Sequence, residues 1–402
     1  MTAPILARQR KVTYQLYPTK RQSESLQALL RSHQQLYNAA LEEPISAWQK
    51  SRLSISYVDQ CKSLTEIRTA LPEWRTANCS SQQMTLRRLH KAFAAFFRRV
   101  KAGEKPGFPR YKSFARFPGI SFKSHGDGWA FKPGKQWQHG TLRLSGIGQI
   151  TCRGKAREGG IIGASDVCLR QGKWVLSLTV VCTVVARPRL AHDRVALDWG
   201  VKTLLSGINS RGQILIFDNP RLYQAKIKKL TKLRQIASRK KWGSKRWTRA
   251  LQPINGLFSK LARVRWNFLH QVTHQISRTH AMVAMEELDV KKMTKSAKSV
   301  DGIPCWHAAQ KAGLNREILD TAPFKLMQLL SYKVVDTGGI WLVAPTRLLK
   351  PSQTCPHCAN VRKKDLSERT HLCTVCGYCA PRDIASAQVV LNWALSKPAE
   401  IS

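Results

Sequence analysis

"VALDWGVKTLLSGINSRGQILIFD", residues 195–218, contains the strand pattern from which the fold of the second half of the chain is predicted. The apolar run that ends at Trp199 predicts a buried strand, and the apolar residues that follow predict a second strand. Asn-Ser-Arg-Gly at 209–212 is typical of a tight turn, after which ILIFD predicts a third strand. The stretch therefore predicts three consecutive strands.

The residues before this stretch predict a β module that is interrupted by helices. KVTYQLY at 11–17 alternates as a strand does, and Thr19 then opens a long helical region with apolar residues spaced three and four apart. A further helical segment, Gln82–Val100, carries an apolar stripe that we interpret as core packing. From Gly103 the composition changes to Gly, Pro and aromatic residues, followed by short strands, so we expect the β module to resume near Phe108.

The residues after the three strands are strongly basic. Positions 219–285 hold 16 Lys or Arg residues and no Asp or Glu. An ordinary solvated helical surface mixes the two signs, so this run favours a binding role, with a merely solvated face as the alternative. The run ends at another apolar strand, AMVAMEELDV, after which we expect a helix, the strand GGIWLVAP, a cysteine cluster and a final apolar helix.

The whole chain shares this charge imbalance. Its 402 residues include 67 Lys or Arg against 24 Asp or Glu, a net charge of +43. Solubility needs far less charge, so we expect a polyanionic partner. A protein of the membrane surface would need a strongly amphipathic helix or a lipid signal, and neither is evident. The sequence also shows no signal-peptide core, and we expect a cytoplasmic protein of two or three domains.

Four cysteines near the end of the chain have the spacing of a metal site. Cys355 with Cys358, and Cys373 with Cys376, form two Cys-x-x-Cys pairs separated by fourteen residues. Each pair directs two thiolates at one point, and two pairs supply the four ligands of a tetrahedral zinc site. Such a site has no open position, so the zinc is expected to be structural, with a redox pair as the alternative. Cys379 is expected to be a bystander.

Three acidic residues stand where apolar segments meet the basic part of the chain. Asp198 follows VAL, Glu286 follows AMVAM, and Asp383 begins the last helix. Each has an ordinary explanation, as a turn residue, a strand-end surface acid and a helix cap. If the first and fourth strands are adjacent and the last helix packs on them, the carboxylates could converge on Mg²⁺, which prefers oxygen ligands. Two such ions about 3.5–4 Å apart activate water and stabilise the leaving oxygen of a phosphodiester.

Four blocks, in this order, resemble a known family: ALDWGVKTLLS, AMEELDVKKM, PSQTCPHC with RTHLCTVCG, and RDIASA. They are similar to the TnpB family of transposon-encoded, RNA-guided DNA endonucleases, which are related to type V CRISPR effectors. LYPTKRQSESLQALLRSHQQLYNAAL, PGFPRYKSF and GLNREILDTAPFKLMQLLSYKV extend the resemblance over nearly the whole chain.

The resemblance implies a multidomain α+β protein. Its first half would be a wedge β-barrel with a helical recognition insertion, and its second half a RuvC-like nuclease of the ribonuclease H fold, interrupted by a zinc ribbon. The implied boundaries are 1–18 and 103–190 for the wedge, 19–102 for the insertion, 191–351 and 378–402 for the nuclease, and 352–377 for the ribbon.

The resemblance also implies roles for particular residues. Asp198, Glu286 and Asp383 would be the catalytic acids and hold Mg²⁺, whereas Glu287 would be a neighbour only. The helical insertion would read a short DNA motif through the Asn78–Arg88 segment, for which solvation of a helix is the alternative. We expect contacts with nucleic acid from Gln82, Gln83 and Arg87 of this segment, and from Lys240, Lys241, Lys245 and Arg246 of the basic run at 219–285.

The function that the resemblance implies is Mg²⁺-dependent, RNA-guided cutting of DNA. Its partners would be a guide RNA from the transposon end and a double-stranded DNA target, and we expect a monomer that joins the prokaryotic nucleoid when bound to DNA. An RNA scaffold and a heteroduplex present many phosphates, which accounts for the charge.

Three residues depart from the pattern of the family. Pro381 and Ala385 replace the Asp and Asn that family members commonly carry, and Ala359 replaces a Gly. The first two keep open an RNA-guided repressor that binds DNA without cutting it. From the sequence, a guide-independent zinc-ribbon DNA-binding regulator and a strand-joining transposase also stay open.

Overall fold

The structure is a computed structural model that describes residues 5–185, 193–297, 306–365 and 367–397. The chain is a multidomain α+β protein that divides into an N-terminal unit, Ile5–Val185, and a C-terminal unit that begins at Ala186. The expected boundary between 190 and 191, and Cys305, lie outside the described residues. In the part of the chain that the structure describes, no helix has both the length and the apolar character to cross a membrane.

An eight-stranded antiparallel sheet forms the base of the N-terminal unit. Its strands are β1 Ile5–Tyr17, β2 Ile120–Phe122, β3 Trp129–Pro133, β4 Gln138–Leu144, β5 Gly148–Lys155, β6 Ile161–Ile162, β7 Ser165–Arg170 and β8 Lys173–Val185. The order is β2-β7-β8-β1-β5-β4-β3, with β6 beside β8, so the first strand of the chain lies in the middle. The sheet resumes at Ile120, later than Phe108, because prolines at 106, 109 and 118 lack the N–H that a strand pairs.

Three helices separate β1 from the rest of the sheet: α1 Lys20–Ser51, α2 Tyr57–Ala70 and α3 Cys79–Lys101. Thr19 begins α1 with a capping box, in which its hydroxyl accepts from the Gln22 N–H and the Gln22 side chain accepts from the Thr19 N–H. The predicted apolar spacing of α1 is confirmed at its buried positions, among them Leu26 and Leu30, which join the core of the sheet.

The apolar stripe of α3 is core packing only as far as Phe93, which packs against the core of the N-terminal unit. Leu86 and Leu89 are buried, but Phe97 is 55% exposed. The Phe96 ring lies edge-on to both Phe97 and Phe108, at 5.2 and 5.3 Å between centroids. The stripe therefore ends in a partly exposed aromatic cluster rather than in the core.

The C-terminal unit contains a five-stranded mixed sheet. Its strands are β9 Arg194–Trp199, β10 Thr203–Asn209, β11 Ile214–Asp218, β12 Met282–Glu286 and β13 Ile340–Ala344. The order is β11-β10-β9-β12-β13, with β9, β10 and β11 antiparallel and with β12 parallel to both β9 and β13. The three strands predicted from residues 195–218 are confirmed, and Asn209 shapes their turn by accepting from the N–H groups of Arg211 and Gln213.

Helices and one small sheet complete this unit. They are α4 Ile227–Ser238, α5 Lys245–Thr279, α6 Val290–Met293, α7 Ala308–Thr321, α8 Pro323–Asp336, α9 Thr346–Leu349 and α10 Arg382–Leu395, with β14 Thr370–Leu372 paired to β15 Cys379–Pro381. The strand in AMVAMEELDV ends at Glu286, where the apolar run stops, and Asp289 caps α6. One prediction was wrong here. The single helix expected before β13 is two helices, α7 and α8, which are broken at Ala322 because Pro323 disfavours helical geometry before it.

Candidate active site

The alternation of side chains along β9 and β12 decides which face carries the acids. Val195 and Leu197 belong to the core on one face of the sheet, whereas Ala196 packs on the other face with residues of α10. Because side chains alternate between faces, Asp198 follows Ala196 to the α10 face. Met282 and Ala284 of β12 also pack on the α10 face, so Glu286, two residues after Ala284, lies on that face as well.

The register of the sheet makes these two acids neighbours. β9 and β12 are parallel, and their last paired residues are Leu197 and Met285. The next residues on each strand are Asp198 and Glu286, so both carboxyl groups leave the same end of two adjacent strands. β9 and β12, the first and fourth strands of this unit, are therefore adjacent, as convergence of the acids requires.

Helix α10 brings the third acid to the same face. It packs against β9, β10 and β12, and Asp383 lies in its first turn. Asp383 is not the cap residue, because the N-cap position is Pro381, which makes no side-chain hydrogen bond. One turn further along, the Ser386 hydroxyl donates a 3.0 Å hydrogen bond to Oδ1 of Asp198. Sequence reasoning missed Ser386, whose i+3 spacing from Asp383 was the available signal.

The electrostatics of the three acids are unfavourable without a cation. Burial raises the pKa of Asp198 well above its usual range, and the charges of Glu286 and Asp383 raise it further, while the Ser386 hydrogen bond opposes the change. Burial also raises the pKa of Glu286. Carboxylates that share a buried site cannot all ionise unless positive charge is added.

The acids are spread more widely than the cysteines. Among the described residues, four cysteines are grouped closely enough to hold one metal ion: Cys355, Cys358, Cys373 and Cys376. Their sulfur atoms all lie within 4.8 Å of one another. The three carboxylates are not that close together, but two cations about 3.5–4 Å apart do not require all ligands to reach one point.

The thiol cluster is built from two backbone knuckles. Cys355 accepts from the Ala359 N–H and Cys373 accepts from the Gly377 N–H, each through its carbonyl. The Cys358 and Cys373 sulfurs are 3.5 Å apart. The backbone N–H groups of Cys376 and Val375 lower the pKa of the Cys373 thiol to about 6. Cys379 lies on β15 outside the cluster, as expected of a bystander.

The two knuckles share a left-handed residue after the second cysteine of each pair. Gly377 has φ +71° and Ala359 has φ +60°. Glycine adopts this conformation freely, whereas alanine is strained there. The replacement of Gly by Ala at 359 therefore falls at a position where the backbone favours glycine.

The structure corrects one of the residues expected to read DNA. Gln82 is 1% exposed, because its side-chain oxygen accepts from the Arg68 guanidinium and its amide donates to the Trp74 carbonyl at 3.0 Å. It cannot reach a base edge without breaking these bonds. Gln83 is half-buried and Arg87 is exposed on the same helix, so both keep accessible polar groups.

The remaining basic candidates lie together on the C-terminal unit. Lys240 and Lys241 follow α4, and Lys245 and Arg246 begin α5. All four side chains are exposed at the turn between the two helices.

Two family models match this chain, one over a segment that contains Asp198 and Glu286 and one over a segment that contains the four cysteines and Asp383. Residues 178–297 match the OrfB_IS605 family, described as "Probable transposase", and residues 324–390 match the family described as "Cas12f1-like, TNB domain". The Escherichia coli (strain K12) protein named "Putative RNA-guided DNA endonuclease InsQ" is 28% identical over 94% of this chain and 90% of its own length. These matches agree with the resemblance to the TnpB family. A "Putative RNA-guided DNA endonuclease" of Streptomyces pristinaespiralis is also 28% identical, over 97% of this chain and 90% of the relative.

Solved structures share the fold at low sequence identity. A structure of a Cas12f1–sgRNA–target DNA complex superposes with a TM-score of 0.59 at 12% identity, over 96% of this chain and 99% of that one. The mini-RNA-guided endonuclease CRISPR-Cas_phi3 superposes with a TM-score of 0.52 at 10% identity, over 98% and 94%. These likenesses establish the multidomain α+β fold.

Proposed function

We propose that this chain is an RNA-guided, Mg²⁺-dependent DNA endonuclease. The observation that carries the proposal is the placement of Asp198 and Glu286 at the same end of two adjacent parallel strands, with Asp383 on the helix that packs over them. A binding protein has no use for three carboxylates on a phosphate-attracting surface, because they weaken its hold on nucleic acid.

The acids suit Mg²⁺ by the chemistry of their donors. Asp198, Glu286 and Asp383 offer hard carboxylate oxygens, and their mutual repulsion favours a divalent cation. When bound there, Mg²⁺ activates water and stabilises the leaving oxygen of a phosphodiester. Asp198 and Glu286 lie on strands, so the sheet holds their carboxylates in place. The hydrogen bond from Ser386 orients the Asp198 carboxylate.

The remaining architecture fits the same proposal. The five-stranded sheet of the C-terminal unit would be the RuvC-like nuclease, and the four-thiol cluster would hold a structural zinc, for which soft thiolates are the preferred ligands. Strand β15 lies beyond the boundary expected at 377, so the zinc ribbon would extend to Pro381. The eight-stranded sheet and α1–α3 would be the wedge and its recognition insertion, within domain limits close to those the sequence implies.

The partners we propose are a guide RNA from the transposon end and a double-stranded DNA target. The relatives named above are RNA-guided DNA endonucleases by name, and the net charge of +43 suits partners rich in phosphate. Gln83 and Arg87 remain our candidates for reading the adjacent motif, through amide and guanidinium groups that match base edges.

The test begins with the protein purified from its host. RNA that copurifies is sequenced, and a matched DNA target is offered in Mg²⁺ or in a chelator. We expect cleavage of the matched target alone, and only with Mg²⁺. Protein that is consistently free of RNA would overturn the guide, and matched binding without cutting in any divalent metal would favour a repressor.

A further inference from the structure

The turn between α4 and α5 combines exposed cations with an exposed aromatic ring. We call residues 239–246, with sequence RKKWGSKR, the basic tip. Five of its residues are Lys or Arg, and all five are exposed. Trp242 stands among them and is 82% exposed.

The basic tip is a built turn, which holds the Trp242 ring in the solvent. Below the tip, Leu230 and Ala237 of α4 pack against Ile254 of α5. Ser244 caps α5 by accepting from the Trp247 N–H at 3.1 Å. Since both helices are anchored beneath it, the exposure of Trp242 is a property of the folded hairpin.

A second indole ring supports the first. The Trp247 ring is half-buried, its centroid lies 5.8 Å from that of Trp242, and the two planes are tilted by 48°. One face of Trp242 is therefore open to a flat partner. An exposed tryptophan adds little to stability, because the hydrophobic effect rewards only the area removed from water.

The combination on the basic tip fits a nucleic-acid strand with unpaired bases. Proteins hold such strands by pairing Lys and Arg with phosphates and by stacking bases on aromatic rings. Duplex DNA offers no free base face, whereas the loops and bulges of structured RNA present unstacked bases. No acidic residue lies between 219 and 285 to repel the backbone of such a strand.

We propose that Trp242 stacks on an unpaired base of a structured RNA whose neighbouring phosphates are bound by Lys240, Lys241, Lys245 and Arg246. The proposal rests on the proposed function, since a guide RNA is the partner named there. It adds a base-contacting residue to a surface whose other candidates are Lys and Arg side chains.

The experiment measures affinity of the full chain, stripped of RNA, for three probes: a short single-stranded RNA, the same RNA annealed to its complement, and a single-stranded DNA of the same sequence. The variants are Trp242→Ala, Trp242→Leu and Trp242→Phe. The matched control is Trp306→Ala, because Trp306 is 84% exposed in the same unit and lies away from the basic tip in sequence.

We expect Trp242→Ala to weaken binding of single-stranded RNA by about 5- to 150-fold, the range for one stacked base. Trp242→Phe should bind nearly as the wild type does, whereas Trp242→Leu should resemble Trp242→Ala. Neither the annealed RNA nor Trp306→Ala should show the loss. A plot of log affinity against log salt concentration has a negative slope. Trp242→Ala should leave this slope unchanged, whereas Lys241→Ala, which removes a charge, should make it less steep by about 0.7.

Each contrary result overturns a distinct statement. If wild type binds RNA and Trp242→Ala binds equally well, stacking is wrong and the proposed function stands. If wild type binds no RNA, the proposed function itself fails. If Trp242→Ala loses affinity only for single-stranded DNA, the ring contacts a displaced DNA strand and the proposal is rejected. If Trp242→Leu binds RNA as the wild type does, the contact is apolar rather than stacking, and the proposal is also rejected.

Discussion

Ser386→Ala should weaken cleavage because it removes the group that orients Asp198. The Ser386 hydroxyl donates to Oδ1 of Asp198 at 3.0 Å, and a hydrogen bond to a charged group contributes about 1.5–3 kcal/mol. Loss of a residue that supports a metal ligand commonly lowers metal affinity or activity by about 10- to 100-fold. The hydrogen bond also lowers the pKa of Asp198. Its removal therefore leaves this carboxyl more fully protonated, and the proton competes with Mg²⁺ for the carboxylate oxygens.

The assay is cleavage of a guide-matched DNA target over a series of Mg²⁺ concentrations. We expect Ser386→Ala to need more Mg²⁺ for half-maximal cleavage and to lose about 10- to 100-fold in rate at low Mg²⁺. Ser386→Thr keeps the hydroxyl and should recover part of the activity. Gln388→Ala is the control, because Gln388 donates to Asn392 on the same helix. An unchanged Mg²⁺ dependence in Ser386→Ala, or an equal loss in Gln388→Ala, would refute the reasoning.

The zinc cluster yields two predictions. Cys373→Ser removes one of four thiolate ligands, so metal analysis should find the zinc content strongly reduced; zinc that is absent from the wild type, or unaffected by this change, removes the site. Ala359→Gly relieves strain at φ +60° of about 1 kcal/mol, so a competing chelator should need a roughly fivefold higher concentration to strip the metal. Easier loss of zinc from this variant would show that the knuckle does not favour glycine.

The strands were predictable because their signals are local. The alternation in residues 195–218 and the Asn-Ser-Arg-Gly turn specify three strands without any tertiary information. The positions of the acids at strand ends were also visible, because an apolar run stops at each. The break at Ala322 was missed, although its signal is also local, since Pro323 restricts the residue before it.

Contacts between distant segments could not be predicted in this way. Gln82 has the chemistry of a base-reading residue, but Arg68 of another helix and Trp74 of a preceding turn bury its amide. Ser386 became visible only when the packing of α10 on β9 brought it to Asp198, which is 188 positions away in sequence. The partial exposure of the α3 stripe likewise depends on where the sheet stops covering the helix.

The central claim is that Asp198, Glu286 and Asp383 act together in cleavage and not in binding. The most direct test is cleavage and binding by Glu286→Gln beside Glu287→Gln, with Asp198→Ala and Asp383→Ala, using a guide RNA and a matched target in Mg²⁺. Glu287 is the matched control because it is the next residue in sequence and is exposed just beyond the end of β12. The account predicts cleavage lower by orders of magnitude in the three acid variants, with target affinity equal to or slightly above wild type, and wild-type cleavage in Glu287→Gln. Undiminished cleavage by Glu286→Gln or Asp198→Ala would contradict it.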